Sequence, residues 1–209
     1  MDSVEVIERY FDNLTEEQRR QFAMLGEVYQ EWNAKINVVS RKDMEQIYLH
    51  HILHSLAIAK VCRFEAGAKI LDVGCGGGFP SVPLAIMFPQ AEFVACDSIG
   101  KKIRVVEGVC EAVGIKNIRT VNGRVEQLKE KFDYVVSRAV TDMPTFVKWV
   151  KGLIVRGKRG TLANGILYLK GGDLTEELRL SHRRWERYDI VEFFGEEFFE
   201  TKQVVYSQE

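Results

Sequence analysis

The residues best equipped for chemistry lie together in Ile70-Leu71-Asp72-Val73-Gly74-Cys75-Gly76-Gly77-Gly78-Phe79-Pro80. An apolar run of strand character ends near an acid, passes through a glycine-rich turn and continues as the helical pattern Val82, Leu84, Ala85, Ile86, Phe88. Glycines at 74, 76 and 78 let the backbone turn tightly with no Cβ in the way, so a ligand can lie against main-chain N–H groups at a helix start. A dinucleotide fingerprint, G-x-G-x-x-G, requires glycine where this chain has Phe79, and it therefore fails. The form that remains, D-x-G-x-G-x-G, suits a ligand without a pyrophosphate: a nucleoside whose amino-acid tail carries an ammonium for Asp72 to attract. S-adenosylmethionine is such a ligand. Taken as backbone alone, the stretch is a tight strand-to-helix connection with an acid at its start.

Three further positions belong to the same pattern. The strand Glu92–Asp97 ends in an acid about 20 residues beyond the glycine turn, where a carboxylate can take both hydroxyls of a ribose. Asp97, followed by Ser98, is that candidate; the other reading is a cap on the helix that follows. After a third strand at 118–121 comes Asn122-Gly123-Arg124-Val125-Glu126, a loop that in a nucleoside site lies beside the base. A fourth strand, 132–137, delivers Arg138 to the sheet edge where open α/β folds do chemistry; the alternative is an ion pair with Glu126 or Asp142. His50 and His54, four apart, share a helix face that could hold a metal, but no third ligand accompanies them and no metal is expected.

The elements that must position these groups follow from periodicity. Val4, Ile7, Tyr10 and Phe11 give a short helix. Thr15 and Gln18 have capping-box spacing before a helix with the apolar face Phe22, Leu25, Val28, Tyr29, Trp32, Ile36. Asn33 and Asn37 are poor helix-interior residues that either satisfy turn backbone or serve a site, and Ser40 is placed to cap a helix beginning near Asp43. An apolar helix over 47–59 carries the histidines. From residue 68 strands and helices alternate, the pattern of a parallel sheet covered on both faces. Pro144 opens a helix, a strand at 165–170 ends at Lys170, and Asp173 or Thr175 caps a helix carrying Arg179, His182, Arg183, Arg184 and Arg187. Strands at 188–194 and 203–206 read as a closing antiparallel pair. The division expected is a helical extension over 1–66 packed on a catalytic domain over 67–209.

With 209 residues, of which 46% are hydrophobic, the chain can build one sizeable core. A formal charge of −1 supplies no global field for nucleic acid, so a polyanionic partner must meet local patches, for which Arg41-Lys42, Arg156/Lys158/Arg159 and Arg183/Arg184/Arg187 are candidates. No apolar run approaches membrane-spanning length and the first residues lack a secretory layout, so a cytoplasmic protein without a membrane partner is expected. Cys62, Cys75, Cys96 and Cys110 are scattered and read as buried free thiols.

Taken together, these blocks resemble the bacterial 16S rRNA guanine-N7 methyltransferases, also called the glucose-inhibited division protein B family. The similarity covers nearly the whole chain. It rests on Trp32-Asn33 with Asn37, His51 with Ser55-Leu56, residues 72–80 with their Gly-Phe-Pro ending, Asp97-Ser98 before Lys101-Lys102, Gly123-Arg124, Ser137-Arg138-Ala139 and Lys170-Gly171. The chain departs from the family at His54, where an aspartate is usual, and at Cys75 and Gly77, which replace other small residues. The resemblance implies a class I methyltransferase fold: a Rossmann-like, seven-stranded, mostly parallel sheet with an antiparallel C-terminal hairpin and an N-terminal helical extension. It also implies S-adenosylmethionine as cofactor and a monomer acting on 16S rRNA or the small ribosomal subunit, at one guanine of the decoding-region loop (guanine 527 in the usual rRNA numbering). Asp72, Gly74, Gly76, Gly78, Phe79, Asp97, Ser98, Arg124, Val125, Glu126 and Arg138 would then hold the cofactor. Arg124 and Arg138 would orient the guanine with Lys170 beside them, and Asn33, Asn37 and His51 would close the pocket from the N-terminal side. Two rival readings keep the fold: a methyltransferase with another substrate, and a non-catalytic RNA- or ribosome-binding protein. A nicotinamide oxidoreductase is disfavoured by Phe79.

Overall fold

Seven strands form one sheet: β1 (Lys69–Val73), β2 (Glu92–Asp97), β3 (Ile118–Asn122), β4 (Tyr134–Arg138), β5 (Gly165–Gly171), β6 (Glu186–Asp189) and β7 (Lys202–Gln208). The computed structural model describes residues 3–209. Strand order is β3-β2-β1-β4-β5-β7-β6, with β1 to β5 parallel and β7 antiparallel to both its neighbours. The order reverses direction between β1 and β4, and at such a switch point the carboxyl ends of the strands leave a crevice.

Strand residues alternate between two buried layers, as a period of two requires. Ile70, Phe93, Ala95, Tyr134, Val136, Leu167 and Val204 face one cluster, which also takes the buried faces of α2 (Glu16–Lys35), α4 (His54–Val61), α5 (Ser81–Met87) and α6 (Gly100–Val113). Leu71, Val73, Val94, Val135, Ile166 and Val205 face the other, beneath α7 (Met143–Trp149) and α8 (Thr175–Leu180). The N-terminal helices therefore have no core separate from the sheet's. Helix α2 begins with the capping box, Gln18 N–H donating to Thr15 Oγ1 at 3.2 Å and Thr15 N–H to Gln18 Oε1 at 2.9 Å. It lies against α6 because Gly108 leaves room for the Trp32 indole: a Cβ there would stand 1.8 Å from Trp32 Cζ2.

Several boundaries differ from those read in the sequence. The first helix, α1, is only Glu5–Glu8, and Ser40 caps a four-residue α3 at Arg41–Met44. The histidine helix is not uniform: Tyr48–Leu53 is a π-helix that passes into α4. Pro144 stands in the first turn of α7, as read, and Asp142 before it supplies the cap, accepting from Thr145 N–H at 2.9 Å. Helix α8 stops at Leu180; its N-cap residue, Leu174, makes no side-chain cap, but Asp173 Oδ1 accepts from Thr175 N–H at its start at 2.9 Å, one of the two caps read from the sequence. Arg183 is drawn off by tertiary bonds to Ser207, Gln208 and Glu209, and Arg187 lies in β6. Strand β6 ends at Asp189, after which the chain turns inward to bury Ile190 and Phe194.

Candidate functional site

The ends of β1 to β4 surround a cleft of about 400 Å³, within the range of small-molecule sites. Its wall comes from Val73–Gly77 after β1, Cys96–Ile99 after β2, Gly123–Glu126 after β3 and Arg138–Val140 after β4, with Phe79, Lys102, Trp149 and Val38 completing it. The turn after β1 has positive φ at Gly74, Gly76 and Gly78. At Gly74 a Cβ would stand 2.6 Å from Val140 Cγ2, whereas at Gly76 it would meet nothing within 4 Å, so this glycine keeps the backbone approachable from the cleft. Helix α2 and its following loop fix the turn from behind: Tyr29 Oη donates to Gly77 O at 2.7 Å, and Val38 Cγ2 would lie 2.9 Å from a Gly77 Cβ.

Asp72 is fully buried and does not itself line the cleft. Its Oδ2 accepts from Ser81 N–H at 3.0 Å, while Oδ1 is buried with no hydrogen-bond partner among the described residues. Burial pushes its carboxyl up to about 7; Ser81 and the Arg138 charge oppose that rise without cancelling it. Asp97 does line the cleft and braces it, accepting from Gly76 N–H at 3.1 Å and Ile99 N–H at 2.9 Å. Each carboxylate oxygen retains a further lone pair, so ribose hydroxyls and helix-start bonds can coexist.

Arg138 forms neither of the ion pairs open to it in the sequence. Its Nη1 donates to His50 O at 3.2 Å and its Nη2 to His51 Nδ1 at 2.7 Å, and its guanidinium stands 5.2 Å from the centre of the Phe79 ring. Arginine has only donors, so His51 Nδ1 is the acceptor and the His51 proton sits on Nε2. Burial first, and the Arg138 charge second, pull His51 down to about 3. Burial lowers Arg138 to about 10, which still leaves it charged at neutral pH. The cleft thus has a cation in its wall with no carboxylate in salt-bridge contact among the described residues.

The cleft wall includes Gly74, Gly76, Phe79, Asp97, Ser98, Arg124, Val125, Glu126 and Arg138, whereas Asp72, Gly78, His51, Lys170, Asn33 and Asn37 lie outside it. Their contacts say what they do. Lys170 pairs with Glu177 and donates to Thr141 O at 2.9 Å, and Tyr168 Oη accepts from Val140 N–H and Thr141 N–H, so both hold the segment after Arg138. Asn33 Oδ1 accepts from Val38 and Val39 N–H, the turn-satisfying alternative, and thereby sets the loop that carries Val38. Asn37 is exposed beside Arg41 in a neighbouring hollow. Val38, Ile99, Val140 and Trp149 were missed by motif reading, because only tertiary packing brings them to the rim. Nor do the basic runs gather at the cleft. Arg159 donates to Ala66 O beside the start of β1, Arg183 is bound at the end of β7, and Arg41 lines the hollow next to Asn37.

Comparison with known proteins now adds to this geometry. The family model described as GidB, rRNA small subunit methyltransferase G, matches residues 18–205. The ribosomal RNA small subunit methyltransferase G of Christiangramia forsetii is 53% identical over 204 residues, covering 98% of this chain and 96% of the relative. That of Flavobacterium psychrophilum is 54% identical over 203 residues, 97% of each chain. Among solved structures, the precorrin-6y C5,15-methyltransferase from Geobacter metallireducens superposes with a TM-score of 0.57 at 10% identity, covering 83% of this chain and 91% of its own, a likeness of fold alone.

Proposed function

The chain belongs to the rRNA small subunit methyltransferase G family, and on that premise we propose how its cleft works. It is an S-adenosylmethionine-dependent methyltransferase of small-subunit rRNA, and the finer assignment is N7 of guanine 527 in 16S rRNA. The observation that carries this reading is the placement of two complementary groups about one strand-end crevice: the Asp72 carboxyl, with Oδ1 unpartnered, buried behind the glycine turn, and Arg138, without a salt-bridged carboxylate, in the wall at the end of β4. The residues fit the cofactor. Asp72 supplies the negative field for its ammonium, Gly76 leaves backbone open to it, Asp97 offers acceptors for ribose hydroxyls, and the Gly123–Glu126 loop in the cleft wall is the part we assign to the adenine.

When bound, S-adenosylmethionine supplies a methyl on a sulfonium. Guanine N7 carries a lone pair and no proton, so its in-line attack needs no general base, and catalysis rests on alignment and electrostatics. The neutral His51, with its proton on Nε2 and its other nitrogen given to Arg138, agrees with that division. Arg138, held at two points, is the group we assign to guanine O6, leaving N7 free; Arg124, exposed across the cleft, is the second candidate. Methylation leaves the base positively charged, so the arginine that oriented the guanine then favours its departure. Lys170, Asn33 and His51 act as positioning residues through the contacts above. We further assign 1–66 as the extension, 67–209 as the methyltransferase domain, the monomer as the working unit and the cytoplasm as its place. No described helix is long and apolar enough to cross a membrane.

The test is direct. Purified protein with methyl-labelled cofactor is incubated with 16S rRNA and with small subunits, and the digested rRNA is read by mass spectrometry. Label at N7 of that guanine is expected. Label elsewhere overturns the substrate assignment, and no label on either substrate overturns the function.

A further inference from the structure

A second groove opens beside the cofactor cleft. It has a volume of about 490 Å³ and is lined by Lys35, Ile36 and Asn37 from the end of α2 and by Ile99, Lys101, Lys102 and Arg104 around the start of α6. No carboxylate contributes to its wall. Lys102 stands 3.9 Å from Asp97, and Lys35 lies over the Trp32 ring at 5.2 Å. Neither Lys35, Lys101 nor Arg104 forms an ion pair with any described residue. Glu107, the acid one turn beyond Arg104, is engaged by Thr120 Oγ1 at 2.7 Å.

In a chain with a formal charge of −1, four cations around one concavity are a local exception. Three features separate this groove from an ordinary solvated face. Ile99 and Lys102 line both the groove and the cofactor cleft, so the two spaces adjoin across a shared wall. Between them Ile99 is 48% exposed, an apolar ledge where a nucleobase can pass from one to the other. The cations also come from two elements far apart in sequence, brought together by the seating of Trp32 on Gly108.

We propose that this groove binds the phosphates of the RNA strand flanking the target guanine, with the guanine turned over Ile99 into the cleft. The inference rests on the methyltransferase reading and adds the path of the substrate strand to it. Phosphate contacts fix register and orientation, which is what a base drawn out of its stack requires. Lys35, Lys101 and Arg104 are docking residues only, with no part in cofactor binding.

The experiment compares the wild type, the triple variant Lys35→Ala/Lys101→Ala/Arg104→Ala, and a control of equal charge change, Arg156→Ala/Lys158→Ala/Arg159→Ala. Filter binding to a 16S rRNA transcript is measured from 50 to 200 mM salt, together with KM, kcat and cofactor affinity. With three phosphate contacts removed, the slope of log affinity against log salt should shallow by about two in the groove variant, at roughly 0.7 per contact for single strands, and stay unchanged in the control. KM for rRNA should rise about tenfold, with kcat and cofactor affinity within about twofold. Equal slopes in the two variants, or an unchanged KM in the groove variant, overturn the proposal while the methyltransferase reading stands. Weaker binding to whole small subunits but not to bare transcript would assign the groove to a protein and also overturn it. If wild type transfers no methyl, the enzymatic reading fails and the salt slopes still decide the groove.

Discussion

Replacing Asp72 tests the cofactor half of the site through protonation. Its carboxyl is held at about 7 in the ligand-free protein, chiefly by burial, so it is about nine-tenths protonated at pH 6 and about nine-tenths ionised at pH 8. A cofactor ammonium favours the ionised form and lowers that pKa. If the drop is one unit, affinity weakens about fivefold on going from pH 8 to pH 6; if it is two units, about ninefold. Asp72→Asn keeps the shape and an acceptor for Ser81 N–H, and it removes the charge. Calorimetry with S-adenosylhomocysteine across this range should show the pH-dependent loss of affinity, with proton release on binding at pH 6 to 7, in the wild type and neither in the variant. The stability of the ligand-free protein runs the other way. A carboxyl whose folded pKa lies above its unfolded value of 3.8 favours folding most when protonated, so its contribution diminishes as pH rises from about 4 to about 7. The variant escapes that loss, and at pH 8 its melting temperature should exceed the wild type's by about 3–6 °C, taking on the order of 1–2 kcal/mol relieved. A pH-independent wild-type affinity, or a variant that binds as tightly as wild type at pH 8, refutes the role given to Asp72.

Other perturbations address how the site is held. Arg138→Lys cannot reach His50 O and His51 Nδ1 with one fork, so methyl transfer should fall about 10²-fold or more while the circular dichroism spectrum is retained. Gly108→Ala meets the Trp32 ring and should destabilise the protein by about 2 kcal/mol in urea melts, with partial recovery in the Gly108→Ala/Trp32→Leu double variant. Gly74→Ala combines a positive φ with a Cβ 2.6 Å from Val140 and should reduce cofactor affinity at least tenfold by calorimetry. Tyr29→Phe removes the bond to Gly77 O at a cost of about 1 kcal/mol in stability, read as a lowered melting temperature.

The elements easiest to read from the sequence were those whose signal is local. β1 and β2 run over Lys69–Val73 and Glu92–Asp97, as their apolar runs predict, and the Thr15–Gln18 capping box closes as its spacing requires. The glycine turn was legible because its need for positive φ is written in residue type. Arg138 could be placed at a strand end, but not its partners, since His50 and His51 lie 88 and 87 residues away. Lys170 illustrates the same limit. Its position beside Arg138 follows from strand order, and its commitment to Glu177 and Thr141 follows only from how α8 packs. The π-helix at Tyr48–Leu53 has no sequence signature short of its tertiary contacts, and the fraying of α8 into Arg183 is a contest between periodicity and side-chain bonds that packing wins.

Phe79 occupies the position where a dinucleotide-binding turn would have its third glycine, and its ring is in contact with Tyr29 at 4.7 Å, His51 at 5.0 Å and Arg138 at 5.2 Å. Glycine at that position gives a turn freedom for a pyrophosphate; phenylalanine gives it a mechanical tie. One ring couples α2, the π-helix and β4 to the end of the cofactor turn, so the N-terminal helices are not a removable accessory. Their docking and the shape of the turn are tied through that ring. A truncation that spares every strand but removes α2 takes away both Tyr29 contacts to the turn, the bond to Gly77 O and the stacking on the Phe79 ring.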